Sequence, residues 1–339
     1  MARLLTTMLL GLALWAAAPS PGRADAVADF YRGKTITITV GTGPGGGYDL
    51  TTRLIAQNLG RHLPGTPTVI VQNMPGSGGM TAVNMLFNTA PRDGTALGDF
   101  SANIVLEPLY GNKQAKYEPA KFQWIGNMDS DIQACGVRHG VGIRSLEDLL
   151  HSKKTVTFGS TAPNSGTAFY PLFLKNAFGA PVKVINGYTS SKEINLAIAR
   201  GEIDGTCAIT QSTSREELKT FDLLVHIGMD RTVPLYGKTP AISDMIHDDQ
   251  LRKVAELVFN PNLLTRPLAA APGTPADRVA ALRQAFWDDV HDPDTIANAA
   301  KMGMSLTPLG GEEVQKMIAS FQAAPPEIVK KAWEYTHLE

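Results

Sequence analysis

Between residues 35 and 100 the chain repeats one local pattern: a short strand, a glycine-rich turn, then apolar residues at helical spacing. Thr35–Val40 alternates Thr with Ile or Val, the period-two signature of a strand with one apolar face. Residues 41–47 hold five glycines, and Leu50, Leu54, Leu59 and Leu63 follow near helical period. Residues 68–71 read as a second, more apolar strand and 75–79 as another glycine turn. Val83, Leu86 and Phe87 mark the next helix, 91–94 a turn and 95–100 a third strand. Such alternation builds a parallel sheet with crossover helices.

An irregular stretch over 117–131 interrupts the rhythm, which then resumes. Strands are expected at 132–137, 155–159, 182–185, 206–210 and 223–228, with helices over 167–178 and 191–200. Pro171 is tolerable only near the first turn of its helix. Thr274-Pro275-Ala276-Asp277 reads as a capped helix start, Val279, Leu282, Phe286 and Val290 line one face, and Asp292-Pro293 ends it. Two runs of α/β rhythm predict two lobes: residues 27–128 with 231–339, and residues 129–230. A second irregular stretch, 230–240, is expected to return the chain to the first lobe and complete a hinge of two crossing strands.

Residues 1–26 read as a signal peptide: Arg3, an apolar run over 4–18, then small residues, with cleavage expected after Ala24 or Ala26. That apolar run is shorter than the roughly 20 residues of a membrane span. The remaining chain is long for one core, which agrees with two lobes. The formal net charge is −1, and loss of Arg3, Arg23 and Asp25 would leave −2. Such a balance gives no general attraction for nucleic acid or anionic membranes, so a bound anion must be held by local geometry. Export would permit a disulfide between Cys135 and Cys207, and two buried thiols are the alternative.

The glycine loop between the first strand and helix is an anion site by construction. Glycine lets backbone N–H groups turn toward a ligand, and the helix start behind it offers unpaired N–H groups and a positive dipole end. Candidate ligand-binding residues here are Thr42, Gly43, Gly45, Gly46, Gly47, Tyr48 and Asp49. Asp49 is expected to cap the helix through the N–H of Thr51 or Thr52. Gly41, Gly43 and Gly46 spell a G-x-G-x-x-G, but the next strand ends in Gln72-Asn73 without the acid that a dinucleotide ribose requires. A second strand-to-helix loop adds Ser160, Asn164, Ser165, Gly166 and Thr167, with hydroxyls for caps or ligand. Gly78, Ser101 and Tyr188 complete the candidates. Neither main loop carries Lys, Arg or His, so backbone N–H groups are expected to meet the anion's charge. The cluster Asp288, Asp289, His291, Asp292 and Asp294 reads as a solvated helix end rather than a metal site. No cofactor and no metal is called for, and no G-x-S-x-G or H-E-x-x-H pattern occurs.

Five segments together resemble the receptors of tripartite tricarboxylate transporters, the Bug-type solute-binding proteins. They are 34–49, with its Pro-Gly-Gly-x-Tyr-Asp turn, 71–79 (VQNMPGSGG), 91–94 (PRDG), 271–275 (APGTP) and 303–311. The resemblance covers nearly all of the chain after the leader. It implies a two-lobed type II periplasmic binding fold whose facing loops grip one organic carboxylate. It also implies a periplasmic, monomeric protein that delivers its ligand to membrane permease subunits or, in some members, to a sensor kinase. Departures are Gly41 and Thr42, where the family has Pro and a bulkier apolar residue, and Asn164 and Ala168, where it often has Gly and His. An exported α/β enzyme is the alternative reading.

Overall fold

The computed structural model describes residues 22–337 apart from 131, 211, 212, 214, 230–232 and 305. The apolar run of the expected leader lies outside the described residues. In chain order the elements are α1 (Gly22–Tyr31), β1 (Thr35–Val40), α2 (Gly47–His62), β2 (Thr68–Asn73), α3 (Met80–Asn88), β3 (Ala96–Asp99) and β4 (Gln123–Asn127). Next come β5 (Ala134–Arg138), α4 (Leu146–Leu150), β6 (Val156–Ser160), α5 (Gly166–Phe178), β7 (Val182–Asn186), α6 (Ser191–Ala199), β8 (Gly205–Ile209), α7 (Arg215–Leu218) and β9 (Phe221–His226). The remainder is α8 (Asp249–Phe259), β10 (Pro267–Ala270), α9 (Ala276–Val290), α10 (Pro293–Lys301), β11 (Leu309–Gly310), α11 (Gly311–Gln322) and α12 (Pro326–Thr336). Ala24 and Ala26, the expected cleavage positions, fall within α1, whose Val27 and Tyr31 are buried.

Among the described residues, eleven strands form two sheets, ordered β11-β4-β10-β3-β1-β2 and β7-β6-β8-β5-β9. Each contains three parallel strands (β2-β1-β3 and β7-β6-β8) beside one inserted strand, β10 or β5, that runs antiparallel to both neighbours. The sheets are therefore mixed rather than wholly parallel. Their shared order shows that the lobes have one topology, although the sequence shows no repeat. The inserted strand in each lobe is the one entered from the other lobe.

Side-chain alternation explains the layers. Along β10, Leu268 and Ala270 face the core under α2 and α9, whereas Ala269 faces the opposite core with α3 and α11. Gly126 on β4 is required there, because a Cβ would overlap the ring of Phe286 on α9. The more apolar second strand is the edge strand β2, with Ile70 exposed. In the second lobe a disulfide joins Cys135 on β5 to Cys207 on β8, on the α5 side of the sheet.

Several expectations shift. β4 lies inside the stretch read as irregular, and β10 inside a tail read as helical. Pro171 sits in the second turn of α5 rather than the first, leaving the Thr167 carbonyl without its N–H partner four residues on. Thr274 does not cap α9; its hydroxyl donates to the Ala271 carbonyl. Residues 233–240 do not rejoin the first sheet; Val233 and Tyr236 pack in the second lobe. α8 packs against α5 through Phe259, which meets Tyr170 and Phe173, and the return runs through 260–266 into β10. A third passage, between α11 and α12, brings Tyr335 onto Phe173. Asp289, expected in a solvated helix end, is fully buried with its carboxylate on Thr295. Burial raises its pKa to about 7.

Candidate functional site

The loops that leave the C-terminal ends of β1, β2, β3, β6, β7 and β8 wall a cleft of about 690 Å³ between the lobes. Ligands of open α/β sheets bind at this end, where neighbouring connections diverge to opposite faces. From the first lobe, Thr42, Gly45, Gly46, Gly47, Tyr48, Gly78 and Ser101 line it, and from the second, Ser165, Gly166, Thr167 and Tyr188. Gly43, Asp49, Ser160 and Asn164 do not.

Those four support the cleft from behind or across it. Asp49 is buried and does not cap α2. Its carboxylate accepts from the Gly45 N–H, Arg53 Nε and Asn73 Nδ2, each at 2.9 Å, which pins the glycine loop. Burial pushes the Asp49 pKa up, but the hydrogen bonds from Arg53, Gly45 and Asn73 outweigh it and hold the group below the usual carboxylate range. Ser160 is fully buried, its hydroxyl 3.1 Å from that of Ser165 and 3.0 Å from that of Thr167. Asn164 bridges the lobes, its Nδ2 donating to the Ser77 carbonyl at 2.8 Å. Gly43 is a close-approach glycine: a Cβ there would stand 3.3 Å from the Thr189 carbonyl oxygen of the other lobe.

Two helices present unfilled N-termini to the cleft. Gly46 precedes α2 and has no side chain with which to cap it. The start of α3 is closed by the turn before it, the Met80 N–H donating to the Ser77 carbonyl and the Thr81 N–H to the Gly76 carbonyl. Ser165 precedes α5, but its hydroxyl donates to the Ala162 carbonyl at 2.8 Å and lies 2.7 Å from Thr167 Oγ1 instead of capping. By contrast α6 fills its own start: Ser190 Oγ accepts from the Glu193 N–H, and the Glu193 carboxylate accepts from the Thr189 N–H and hydroxyl. Open N-termini leave N–H donors and partial positive charge facing the cleft.

Residues distant in sequence complete the wall. Asn103 Nδ2 donates to the Tyr170 hydroxyl at 3.2 Å, which donates to Asn262 Oδ1. The Asn262 side chain is 5% exposed and its Nδ2 has no hydrogen-bond partner among the described residues. An unpaired buried amide donor costs about 1–3 kcal/mol, which an acceptor in the cleft would relieve. Thr42 Oγ1 is likewise unpaired. Gly166 makes room for this relay, since a Cβ would lie 2.7 Å from Asn103 Nδ2 and 2.8 Å from the Tyr170 hydroxyl.

A basic side chain from outside the two main loops, Arg266, also reaches the cleft. It is 3% exposed and lines the cleft. Its Nη1 pairs with Asp129 at 2.9 Å, its Nε donates to the Gly47 carbonyl at 3.4 Å, and its guanidinium lies 5.8 Å from the Tyr48 ring centre. Asp129 and Arg266 flank the two passages between the sheets, so this pair ties the crossing segments to the start of α2. Burial raises the Asp129 pKa against the pull of Arg266 and Thr307. Behind the glycine loop, Asp99 is fully buried, its carboxylate accepts from Thr52 alone among the described residues, and burial raises its pKa to about 7. Among the described residues that line the cleft there is no His, and the charged side chains are Lys192, Glu217 and Arg266. No cluster of metal-ligating side chains occurs among the described residues.

A bilobal α/β clamp with its site at the strand ends between lobes defines the type II periplasmic binding class. Superposition gives the same answer: the periplasmic binding protein BugD matches with a TM-score of 0.73 at 18% identity, over 89% of this chain and 98% of that one. MatC from Rhodopseudomonas palustris, solved with bound malate, matches with a TM-score of 0.68 at 17% identity, over 87% and 99%. In sequence, the UPF0065 protein of the gbd 5′ region of Cupriavidus necator is 36% identical over 152 residues, 43% of this chain and 44% of that protein. The match thus spans less than half of the curated relative's length. No family model matches the chain. The resemblance drawn from the five sequence segments is borne out: the chain has the fold of the Bug-type periplasmic binding proteins.

Proposed function

We propose that this protein is an exported solute-binding receptor that captures a small organic carboxylate between its lobes and hands it to permease subunits of a tripartite tricarboxylate-type transporter. One observation carries the reading: the open N-termini of α2 and α5 and the unpaired Asn262 amide border one interlobe cleft. That set donates hydrogen bonds and offers partial positive charge, which suits a carboxylate. The malate bound in MatC, a protein of the same fold, supports the ligand class. Periplasmic residence and removal of the leader accord with the homologous fold and with residues 1–26.

A thermal-shift screen of organic carboxylates against the matching amides and alcohols tests this. A ligand at 100 times its dissociation constant adds about 2.7 kcal/mol to stability. At least one carboxylate is expected to give a saturable rise in Tm without being consumed. Chemical turnover of the ligand, or stabilisation by the neutral analogues alone, contradicts the reading.

A further inference from the structure

Two of the exposed large apolar side chains, Leu50 at 36% and Met302 at 43%, line this same cleft. Single exposed apolar residues are ordinary on open surface, but two on the wall of a concave site mark apolar contact with a ligand. Met304 joins them. Its sulfur accepts from Thr51 Oγ1 at 3.6 Å, which fastens the 302–304 turn beside Leu50 at the start of α2. Pro261 and Leu264 line the cleft near Asn262. Methionine is unbranched and adapts its shape to apolar partners of different outline.

Size points the same way. A cleft of about 690 Å³ lies in the range of sites that take ligands much larger than a four-carbon diacid. At the roughly 30 Å³ that liquid water allots to each oxygen, it holds on the order of twenty non-hydrogen atoms. Charge limits what those atoms are. Lys192 and Glu217 on the wall are of opposite sign, and Arg266 is paired with Asp129. Among the described residues the wall with that partner is formally neutral, which favours a ligand with one carboxylate.

We propose that the ligand is an amphiphilic monocarboxylate, with one carboxylate at the starts of α2 and α5 and an extended aliphatic or aromatic body of about ten or more non-hydrogen atoms. The body lies along Leu50, Met302 and Met304, which set specificity. This inference rests on the reading of the cleft as a carboxylate site.

Titration calorimetry with straight-chain monocarboxylates of four to ten carbons, alongside malate and adipate, tests it on the full mature protein. A fully buried methylene is worth about a fourfold gain in affinity, and contact at a half-open wall about twofold. Affinity is expected to climb by those factors with each carbon. Met302→Gln, at an exposed position beyond the end of α10, is expected to weaken the ten-carbon acid three- to tenfold, hold the four-carbon acid within twofold and leave the unliganded Tm unchanged. Flat affinity along the series, equal losses for short and long acids, or diacids that bind more tightly than every monocarboxylate overturn this proposal while the carboxylate site stands. Absence of binding by all acids, mono and di, removes the carboxylate site as well.

Discussion

Replacing Asn164 by Ala isolates the contribution of lobe closure. Its Nδ2 donates at 2.8 Å to the Ser77 carbonyl in the opposite lobe, and among the described residues no other side-chain bond ties Asn164 within its own lobe. A hydrogen bond of this kind is worth a net of about 0.5–1.5 kcal/mol. Only the closed arrangement contains it, so its loss lowers the population of the closed form, and apparent affinity falls in proportion to that population. The expected loss is about two- to twelvefold in Kd, seen mainly as faster release. Asn164 contributes to no apolar core, so the unliganded Tm is expected to stay within about 2 °C. Titration calorimetry on wild type and variant, with melts of both unliganded proteins, separates the effects. An unchanged Kd, or a Tm loss as large as the binding loss, refutes the assignment of Asn164 to closure.

Asp99 makes stability pH-dependent. Its folded pKa is raised to about 7 by burial, against an ordinary value of 3.8, so above pH 4 the unfolded chain releases a proton that the native state retains. Stability therefore falls as pH rises from about 4 to 7 and levels off above that. Asp99→Asn is expected to raise Tm at pH 8 more than at pH 4.5, and an equal shift at both contradicts the burial argument. Reducing Cys135–Cys207, which spans 72 residues, is expected to cost about 4 kcal/mol by chain entropy. A melt in reductant that matches the oxidised melt, with reduction verified by mass spectrometry, refutes that figure.

Local pattern made most of the strands legible. β1, β2, β3 and β5 to β9 were readable within about two residues because β-branched runs bounded by glycine announce themselves. β10 was not, because Pro267-Leu268-Ala269-Ala270 has little intrinsic strand preference, and its pairing comes from β3 on one side and β4 on the other. β4 was hidden by the irregular chain before it and by Gly126, whose role as the seat for Phe286 exists only once α9 is packed. The site divided in the same way. The glycine loop and the start of α5 carry sequence signals for open helix ends. Arg266 and Asn262 carry none, since Arg266 reaches Gly47 across 219 residues by way of the fold. Asp49 looked like a cap because an acid in a first turn often is one. Here Arg53 and Asn73 compete for its carboxylate and turn it toward the loop.

The most direct test of a carboxylate clamp is a crystal structure with the tightest-binding acid from the screen. It should show the carboxylate between the N-termini of α2 and α5, within hydrogen-bond distance of Asn262 Nδ2, with both lobes in contact with the ligand. A carboxylate bound outside the cleft, or held by one lobe alone, contradicts it.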